Sequence, residues 1–516
     1  MITLQSYLQG QWQSGEGEGA PLHDPTRGEV IARASTAGLD LLGALDWARE
    51  KGGPALRAMS FAERGAALKA MSKALHDARE ALIEISIRSA GTPRSDAKFD
   101  IDGAIGTLAY YASLGRGLGD RCDLVEGEGE ALTRSSRFWG HHVKVPIRGV
   151  AVHVNAFNFP AWGFAEKAAV ALLAGVPVIT KPATATAWLT VECVRAIVEA
   201  GALPEGALQL VSGSTGPMLE HLGEQDALAF TGSASTGTML RGLPNMLSRS
   251  VRVNVEADSL NAALLAPGVE PGSPTWEMFI RDVGREISQK TGQKCTAVRR
   301  ILVPEALVEP VREALAEELG RVRIGDPADP SCRMGPISTA AQRDDVLAGI
   351  DALVSAGAEI VYQAERPELA GFFVAPTLLL ARAPEQASAV HEREVFGPVA
   401  TILPYADMDQ AARLVALGLG SLVTSVYGDD PSLLGPLLRE IAPHTGRILL
   451  GSKKIADQAI APGMVLPSCV HGGPGRAGGG EELGGLRGLD FYMQRTAVQG
   501  DRALLDRLFG VSRAKD

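Results

Sequence analysis

Between residues 148 and 265 the chain repeats a strand, a turn and a helix. The strand-like runs lie at 150–154, 176–180, 208–211, 227–232 and 251–256. Helices are predicted between them at 161–174, 188–200, near 215–222 and at 235–241. Strands that alternate with short helices form βαβ units around a parallel sheet. The pattern therefore predicts an α/β fold with a Rossmann-like nucleotide-binding domain.

A second α/β unit is predicted from about residue 257 to 460. Its helices and strands are expected near 275–289, 306–320, 338–356, 400–405 and 421–428. The glycine-rich stretch HGGPGRAGGGEELGG at 471–485 is predicted to be loop. DFYMQRTAVQ at 490–499 follows it and is predicted to be a strand.

The N-terminal region changes pattern along its length. Residues 1–35 predict a hairpin followed by a strand. Residues 60–90 predict a helix, because apolar residues recur every three or four positions until Gly91 and Pro93. Within residues 116–147, GRGLGDRC is glycine-rich and TRSSRFWGHHVKVPIRG alternates like extended hairpin strands. We interpret 116–147 as an insertion between two halves of one domain that could reach a partner subunit.

Length and charge limit the function classes. A chain of 516 residues is expected to hold two to three domains. The net charge of −10 and the pI near 5.5 argue against nucleic-acid and anionic-membrane partners, which need a basic face. The sequence has no apolar run of about 18 residues, so no membrane span is predicted. Its start also lacks the features of a signal peptide.

The five cysteines are widely separated, form no CxxC pair and predict reduced thiols in a cytoplasm. The segment QKTGQKCTAVRR places Cys295 at an element end beside Lys290, Lys294, Arg299 and Arg300. These cations are expected to lower the thiol pKa, which favours a nucleophile. A lone cysteine is more often structural, so the segment alone does not decide the function.

Glu256 ends the predicted buried strand VRVNVE. A carboxylate at such a position costs free energy unless it is paired or used. Burial is expected to raise its pKa toward neutrality, which suits a general base. A glutamate that only caps the next turn fits the same pattern.

Three further segments follow predicted strand ends, the edge at which parallel sheets bind ligands. Asn158 of NAFNFP could donate to a developing oxyanion, although turns also favour asparagine. Lys181 of TKPAT could reach a ribose or a phosphate. In FTGSASTG, Gly232 lies at a strand-to-helix turn and Ser233 near the helix N-terminus, which suits a pyrophosphate.

In this order and spacing, the segments resemble the aldehyde dehydrogenase superfamily. The resemblance runs through NAFNFP, KPAT, FTGSASTG, the Glu256 segment, GQKC, GDPADPSCRMGPIS and EVFGP, and it covers nearly the whole chain. The ending from 464 to 500 resembles a narrower branch. That branch includes the semialdehyde dehydrogenase of aerobic benzoyl-CoA catabolism and the aldehyde dehydrogenase domain of the phenylacetate ring-opening protein.

The resemblance implies a role for each matched residue. It makes Cys295 the nucleophile, Glu256 the general base, and Asn158 an oxyanion donor together with the backbone N–H of Cys295. The coenzyme-binding residues that it implies are Lys181, Gly232, Ser233, Glu394 and Phe396. The implied reaction is thiolate attack on an aldehyde, hydride transfer to a nicotinamide, and thioester hydrolysis by water that Glu256 activates. Glu256 could also deprotonate Cys295, and no metal site is implied.

The sequence departs from the family pattern at two places. The family's ELGG is EADS here, so that Asp258 and Ser259 replace two glycines and the backbone near the nicotinamide is expected to differ. The family's PWNFP is AFNFP, so that Phe157 replaces a tryptophan that would line the coenzyme phosphate channel.

Thr184 bears on coenzyme choice. Many relatives that use NAD carry a glutamate three residues after the coenzyme lysine, where this chain has Thr184. A carboxylate there would repel a 2′-phosphate, which carries a charge of about −1.5 to −2. Threonine can donate to that phosphate, and Lys181 offers it a positive charge. We therefore predict NADP as the coenzyme, with NAD as a weaker alternative.

The branch resemblance implies an aldehyde substrate linked to CoA, such as 3,4-dehydroadipyl-CoA semialdehyde from aerobic aromatic degradation. His471, Arg476 and the glycine-rich loop could border the substrate tunnel or only pack on the second domain. One alternative is a CoA-acylating aldehyde dehydrogenase, against which Glu256 argues. Another is a non-catalytic protein of the same fold, which would not need the matched Cys, Glu, Asn and Lys. A bifunctional chain with a hydratase domain is not expected, because the sequence ends at Asp516.

The resemblance also implies the architecture. It predicts a coenzyme-binding domain formed by 1–122 and 148–256, and a catalytic domain formed by 257–485. A small β oligomerisation element is expected from 123–147 and 486–502. A homodimer is the expected assembly, because isologous pairing is the commonest kind of oligomer.

Overall fold

The computed structural model describes residues 2–458 and 460–510. The strands of this part of the chain, in order from β1 to β22, are Ile2–Leu4, Ser6–Leu8, Gln11–Gln13, Ala20–His23, Val30–Ala34, Leu124–Ala131, Phe138–Pro146, Ala151–Val154, Val178–Lys181, Leu208–Leu210, Ala227–Thr231, Arg252–Glu256, Ala262–Leu265, Arg300–Pro304, Glu359–Gln363, Thr377–Leu380, Val399–Tyr405, Ser421–Tyr427, Thr445–Gly451, Val470–Gly472, Glu481–Leu483 and Met493–Asp501.

The α-helices are numbered in the same way. From α1 to α17 they are Leu41–Trp47, Gly53–Ala58, Phe61–Asp77, Arg79–Ala90, Arg94–Leu118, Trp162–Ala174, Ala187–Glu199, Ala234–Arg241, Pro244–Ser248, Pro274–Ser288, Val308–Gly320, Ala340–Ser355, Ser388–Glu392, Met408–Ala416, Pro431–Ile441, Leu486–Leu489 and Arg502–Leu508. None of the helices in the described ranges combines the length and the apolar character that crossing a bilayer requires.

The first large sheet contains the predicted Rossmann-like unit. Its strand order is β12-β11-β8-β9-β10-β2-β3, and β8 to β12 run parallel. Strands β8 to β11 are almost wholly buried, as expected of a parallel sheet whose two faces are both covered. The order reverses between β8 and β11, and ligands bind at the carboxyl ends of strands at such a reversal. The segments that follow β8 and β11 therefore border a crevice.

The second large sheet has the order β15-β16-β17-β14-β13-β18-β19. Its strands are parallel except for β15, which pairs antiparallel with β16. Buried apolar clusters form on both of its faces. The segment from 289 to 299 connects α10 to the amino end of β14, a central strand of this sheet. Its residue Cys295 lines the crevice of the first sheet.

A third, smaller sheet joins two distant parts of the chain. Strand β7 pairs antiparallel with both β6 and β22, and its register with β22 runs from Met493 opposite Pro146 to Asp501 opposite Phe138. The insertion predicted from the sequence and the C-terminal strand thus form one sheet. The division of the chain into domains at the predicted boundaries stays a prediction.

Four predictions of secondary structure are wrong in detail. Residues 60–90 form two helices instead of one, since α3 ends at Asp77 and α4 begins at Arg79. Helix α5 continues to Leu118, so the first residues of the predicted insertion are helical. The segment at 215–222 contains only a short 3-10 helix, Met218–His221. The stretch at 471–485 is not all loop, because β20 and β21 pair as a hairpin.

Candidate active site

Cys295 lies at the end of a strained turn. After α10, Lys290, Thr291 and Gly292 have φ values of 55°, 56° and 66°, in the left-handed region that costs energy for residues other than glycine. A Cβ on Gly292 would lie 2.1 Å from the carbonyl oxygen of Gly397, so this position needs glycine. The Lys290 N–H donates to Asp96 at 2.8 Å and helps to hold the turn in place.

Ser259 helps to fix the position of Cys295. Its hydroxyl donates to the side-chain oxygen of Asn261 at 2.6 Å, and the Asn261 amide donates to the Cys295 carbonyl oxygen at 2.8 Å. Both Ser259 and Asn261 are fully buried. A departure from the family pattern thus supports the backbone that carries the thiol.

Three side chains meet in front of this turn. Glu256, at the end of β12, and His471, in β20, are both buried. The Nε2 atom of His471 lies 3.9 Å from the Cys295 Sγ atom and 3.3 Å from the Glu256 Oε1 atom. The ligand atoms of the three residues all lie within 4.8 Å of one another, a spacing that could also hold a metal ion.

The expected effect of cations on the Cys295 thiol is wrong. Burial and the adjacent Glu256 carboxylate raise the pKa of Cys295 well above its ordinary value. Its cationic sequence neighbours point elsewhere. Lys294 pairs with Glu286 at 2.8 Å, Lys290 lies 4.6 Å from the Phe159 ring centre, Arg299 pairs with Glu394 at 3.6 Å, and Arg300 donates to the Leu260 carbonyl.

The expected direction of the Glu256 pKa is also wrong. Burial pushes this pKa upward, but opposite charge and hydrogen bonding in the site outweigh burial and lower it. The charge and hydrogen bond of His471 contribute most, followed by the ammonium of Lys167 and a hydrogen bond with Cys295. At neutral pH Glu256 is therefore a carboxylate, able to accept a proton.

A buried charge cluster that the sequence reasoning missed lies beside Glu256. The Lys167 Nζ atom is 3.0 Å from Glu482 Oε2 and 3.4 Å from Glu166 Oε1. Burial raises the pKa of Glu166 to about 7, although Lys167 opposes this. The available signal was the pair of adjacent charges in an otherwise apolar helix, α6, because buried charges are costly unless paired.

Two cavities meet at Cys295. A cleft of about 530 Å³ opens at the carboxyl ends of β8 and β11, and a pocket of about 30 Å³ lies on the other side. Both are lined by Ala156, Asn158, Thr231, Glu256 and Cys295. The three residues predicted to be catalytic are therefore together, at the junction of the cavities.

The cleft also brings together most of the predicted coenzyme residues. Its lining includes Phe157, Lys181, Gly232, Ser233, Glu394 and Phe396. Thr184 lies instead in an adjoining cavity of about 820 Å³, to which Lys181 also contributes. Burial lowers the pKa of Lys181, and burial raises the pKa of Glu394 to about 7 despite the nearby Arg299. The rings of Phe157 and Phe396 pack edge to face, 5.8 Å apart.

Asn158 and Asp258 add detail that the sequence did not predict. The Asn158 amide donates to the Gln293 carbonyl oxygen at 3.0 Å, which leaves its second N–H hydrogen available. The Asp258 carboxylate accepts from the Ala234 N–H, at the start of α8, at 3.0 Å. One of the N–H groups expected to face a pyrophosphate is thus already bonded, while the Ser233 hydroxyl caps α8 by accepting from the Thr236 N–H.

Two parts of the glycine-rich segment at 471–485 make different contacts. His471 lines the small pocket. Arg476 does not, because its guanidinium donates to the carbonyl oxygens of His391 and Glu392. The β20–β21 hairpin of this segment borders the site, whereas Arg476 packs against α13.

Comparisons with known proteins identify the family and the fold of the chain. A model of the aldehyde dehydrogenase family matches residues 12–498. The 3,4-dehydroadipyl-CoA semialdehyde dehydrogenase of Aromatoleum evansii is 44% identical over 480 residues, which cover 92% of this chain and 93% of that protein. The crystal structure of PnpE from Pseudomonas sp. WBC-3 has a TM-score of 0.84 at 24% identity and covers 97% of this chain and 98% of PnpE. Betaine aldehyde dehydrogenase from Staphylococcus aureus, solved as a point mutant with NAD⁺, has a TM-score of 0.84 at 22% identity, with 97% and 98% covered.

Proposed function

Because the chain belongs to the aldehyde dehydrogenase family and is an NAD(P)-dependent aldehyde oxidoreductase, we propose that it oxidises its substrate through a thioester on Cys295 and prefers NADP. The observation that carries this proposal is the position of Cys295, Glu256 and Asn158 where the large cleft meets the small pocket. A thiol at that junction can bond to an aldehyde in the pocket while the coenzyme fills the cleft.

The cleft fits a dinucleotide. The Oδ1 atom of Asn155 is buried there without a hydrogen-bond partner among the described residues. The buried Oε1 atom of Glu394 is 3.6 Å from Arg299 but accepts no hydrogen bond from the described residues, and ribose or amide groups could satisfy both atoms. Lys181, Gly232, Ser233, Phe157 and Phe396 would hold the rest of the coenzyme. When bound, the coenzyme supplies the hydride acceptor.

Each catalytic side chain has one task in the proposed reaction. The Cys295 sulfur attacks the aldehyde carbonyl carbon. The free N–H of Asn158 and the backbone N–H of Cys295 stabilise the oxyanion that forms. After the thioester has formed, the Glu256 carboxylate takes a proton from water, which then attacks the acyl carbon. The lowered pKa keeps Glu256 ionised and able to accept a proton at neutral pH, and it also makes this carboxylate a weaker base than the sequence analysis predicted.

The preference for NADP rests on Thr184 and Lys181. Both line the cavity that adjoins the cleft, where the adenosine end of the coenzyme would lie. A threonine hydroxyl can donate to a 2′-phosphate, and the ammonium of Lys181 would attract it. NAD should also bind, but more weakly.

As the substrate we propose a CoA-linked aliphatic semialdehyde, such as 3,4-dehydroadipyl-CoA semialdehyde. The name of the relative from Aromatoleum evansii supports this choice. So do the apolar walls of the small pocket, Phe159, Trp162 and Val465, which suit an aliphatic chain. We place the enzyme in the cytoplasm, within aerobic degradation of aromatic compounds through benzoyl-CoA, where its thiols would stay reduced.

We also propose a homodimer that forms through the sheet of β6, β7 and β22. Apolar side chains are exposed in and next to this sheet, among them Leu132, Phe138, Val145, Leu504 and Leu508. Contact with a second copy would bury them. Light scattering after size exclusion should give twice the mass of one chain, and a monomer at micromolar concentration would contradict the proposal.

The test is a panel of CoA-linked and free aldehydes, run with both coenzymes and with product analysis. We expect the highest kcat/KM for a CoA-linked semialdehyde with NADP, and a free carboxylate as the oxidised end of the product, whether or not extra CoA is added. A new CoA thioester that forms only with added CoA would indicate an acylating enzyme instead. No coenzyme reduction with any aldehyde would contradict the proposed function.

A further inference from the structure

His471 is placed to take part in the reaction. It is buried in the small pocket, and its Nε2 atom contacts both the Cys295 sulfur and the Glu256 carboxylate. We propose that His471 is a catalytic residue: its imidazole accepts the Cys295 thiol proton, so that a thiolate–imidazolium pair is the nucleophile. This proposal rests on the thioester chemistry of the proposed function and adds a second base to it.

The β20–β21 hairpin fixes the imidazole in this position. Residues opposite each other in an antiparallel pair project to the same face, and His471 lies opposite Glu482 in the register. Glu482 is in turn held by Lys167 at 3.0 Å and by the Asn254 amide at 3.1 Å. The hairpin therefore carries both side chains onto the site as one unit.

The Cys295 thiol needs a cationic partner in order to ionise. Burial and the Glu256 carboxylate disfavour a thiolate, and the four cationic residues near Cys295 in sequence are engaged with other groups. An imidazolium formed at 3.9 Å would offset the charge of the thiolate. The same imidazolium would lie 3.3 Å from the Glu256 carboxylate and so be stabilised from two sides.

The charges that face His471 favour its protonated form, which is the imidazolium of the proposed thiolate–imidazolium pair. They come from β12, the Cys295 turn, α6, β21 and β19, and they are Glu256, Cys295, Glu166, Lys167, Glu482 and Arg447. Burial and Arg447 lower the pKa of His471, but the carboxylates of Glu256 and Glu166 outweigh them and raise it above its ordinary value.

The proposed proton transfers balance without a further reactant. The S–H bond of Cys295 breaks, its electron pair stays on sulfur, and an N–H bond forms at Nε2 of His471. When the thioester is hydrolysed, sulfur leaves as thiolate and recovers the proton from Nε2. Glu256 therefore remains a carboxylate until the hydrolytic step, when it takes one proton from the attacking water. An enzyme in which Glu256 deprotonated the thiol would have to lose that proton before hydrolysis.

Alkylation of Cys295 by iodoacetamide tests the proposal without aldehyde or coenzyme. The rate is measured from about pH 6 to 10 by mass spectrometry of the peptide that contains Cys295, because the exposed Cys122 and Cys469 also react. The variants are His471→Gln, Glu256→Gln and, as a matched control at an exposed position, His221→Gln.

The wild type should gain reactivity with an inflection below about pH 8.5, where an ordinary thiol ionises, because loss of one proton from the pair leaves thiolate and imidazolium. His471→Gln should lose this inflection and react at least about tenfold more slowly at neutral pH. Glu256→Gln should keep the inflection but move it to lower pH, since the imidazolium loses its carboxylate. His221→Gln should match the wild type.

Two results would overturn the proposal. One is a His471→Gln profile that matches the wild type, above all if the inflection disappears in Glu256→Gln instead, which would make Glu256 the acceptor. The other is a wild-type profile that rises only above about pH 8.5, a reading that needs no variant to fold. Coenzyme reduction plays no part in this assay, so failure of the proposed function would be seen separately, in the aldehyde panel.

Discussion

The two cavities that meet at Cys295 share five lining residues and differ in the rest of their walls. The large cleft is lined mainly by residues that directly follow β8, β9, β11 and β12. Besides the shared residues, the small pocket is lined by Phe159, by residues of α6, by the loop at 463–465 and by β20. It buries Glu166, Lys167, Glu256 and His471 within one cluster of charges.

This difference separates two kinds of site. Binding a coenzyme needs backbone groups and a few polar side chains, which the edge of a parallel sheet supplies. Moving protons at a thiol needs buried charges at fixed distances, which only segments far apart in the sequence can bring together here. Changes in the pocket should therefore affect the rate of the chemical steps, and changes in the cleft should affect coenzyme binding.

The largest effect is expected from Cys295→Ala. Removal of the proposed nucleophile should lower kcat by at least about 10⁴-fold, while coenzyme binding measured by fluorescence stays within about threefold. Cys122→Ala, which changes an exposed thiol, should leave turnover unchanged. A turnover rate of Cys295→Ala near that of the wild type would show that Cys295 is not the nucleophile.

Asn158→Ala is expected to have the next largest effect. Loss of a proposed oxyanion donor should lower kcat by about 10² to 10³-fold, as for other enzymes that lose one such donor. Because Asn158 lines both cavities, the coenzyme Kd is the informative control and should change little. A change confined to the coenzyme Kd would show that Asn158 contributes to coenzyme binding and not to the chemical step.

Thr184→Glu tests the cleft side. The new carboxylate should repel a 2′-phosphate and lower kcat/KM for NADP by about 10- to 100-fold, with a much smaller change for NAD. The matched control is Gln386→Glu, which adds the same charge at an exposed position just before α13, away from the cleft and from the proposed dimer sheet. If the wild type prefers NAD, or if both coenzymes lose equally in Thr184→Glu, the NADP proposal is wrong.

Glu394→Gln should give the smallest effect and one that depends on pH. The pKa of Glu394 is raised to about 7 by burial, so the group is neutral below that pH and a carboxylate above it. If the carboxylate accepts ribose hydroxyls, wild-type coenzyme affinity should fall several-fold as the pH drops through 7. The Glu394→Gln variant should bind the coenzyme weakly at every pH. Titration calorimetry at two pH values, one on each side of about 7, measures both affinities. A wild-type affinity that does not change with pH would show that the Glu394 carboxylate does not hold the ribose.

The sequence was sufficient where function follows from local pattern. The βαβ repeat predicted the first large sheet, because strand and helix periods are visible in short windows. Cys295, Glu256 and Asn158 each stand at the end of an element, and the family resemblance identified them together. Their positions at one junction of two cavities agree with that prediction.

Sequence reasoning failed where neighbours in space are not neighbours in the chain. The cations beside Cys295 in sequence point to other partners, so the predicted shift of the thiol pKa had the wrong sign. Glu256 meets His471 from a strand more than two hundred positions away, and that contact reverses the effect of burial. The exchange of glycine for Ser259 looked like a risk to the coenzyme site, but its hydroxyl supports the Cys295 backbone through Asn261.

The thioester on Cys295 can be tested most directly in Glu256→Gln. Without the proposed base, hydrolysis should be slower by at least about 10²-fold, so the acyl group should accumulate on the enzyme during the first turnover. Mass spectrometry after mixing with NADP and aldehyde should find the peptide that contains Cys295 heavier by the acyl group, together with about one equivalent of reduced coenzyme. Reduced coenzyme without an adduct, or an adduct on another cysteine, would contradict the account.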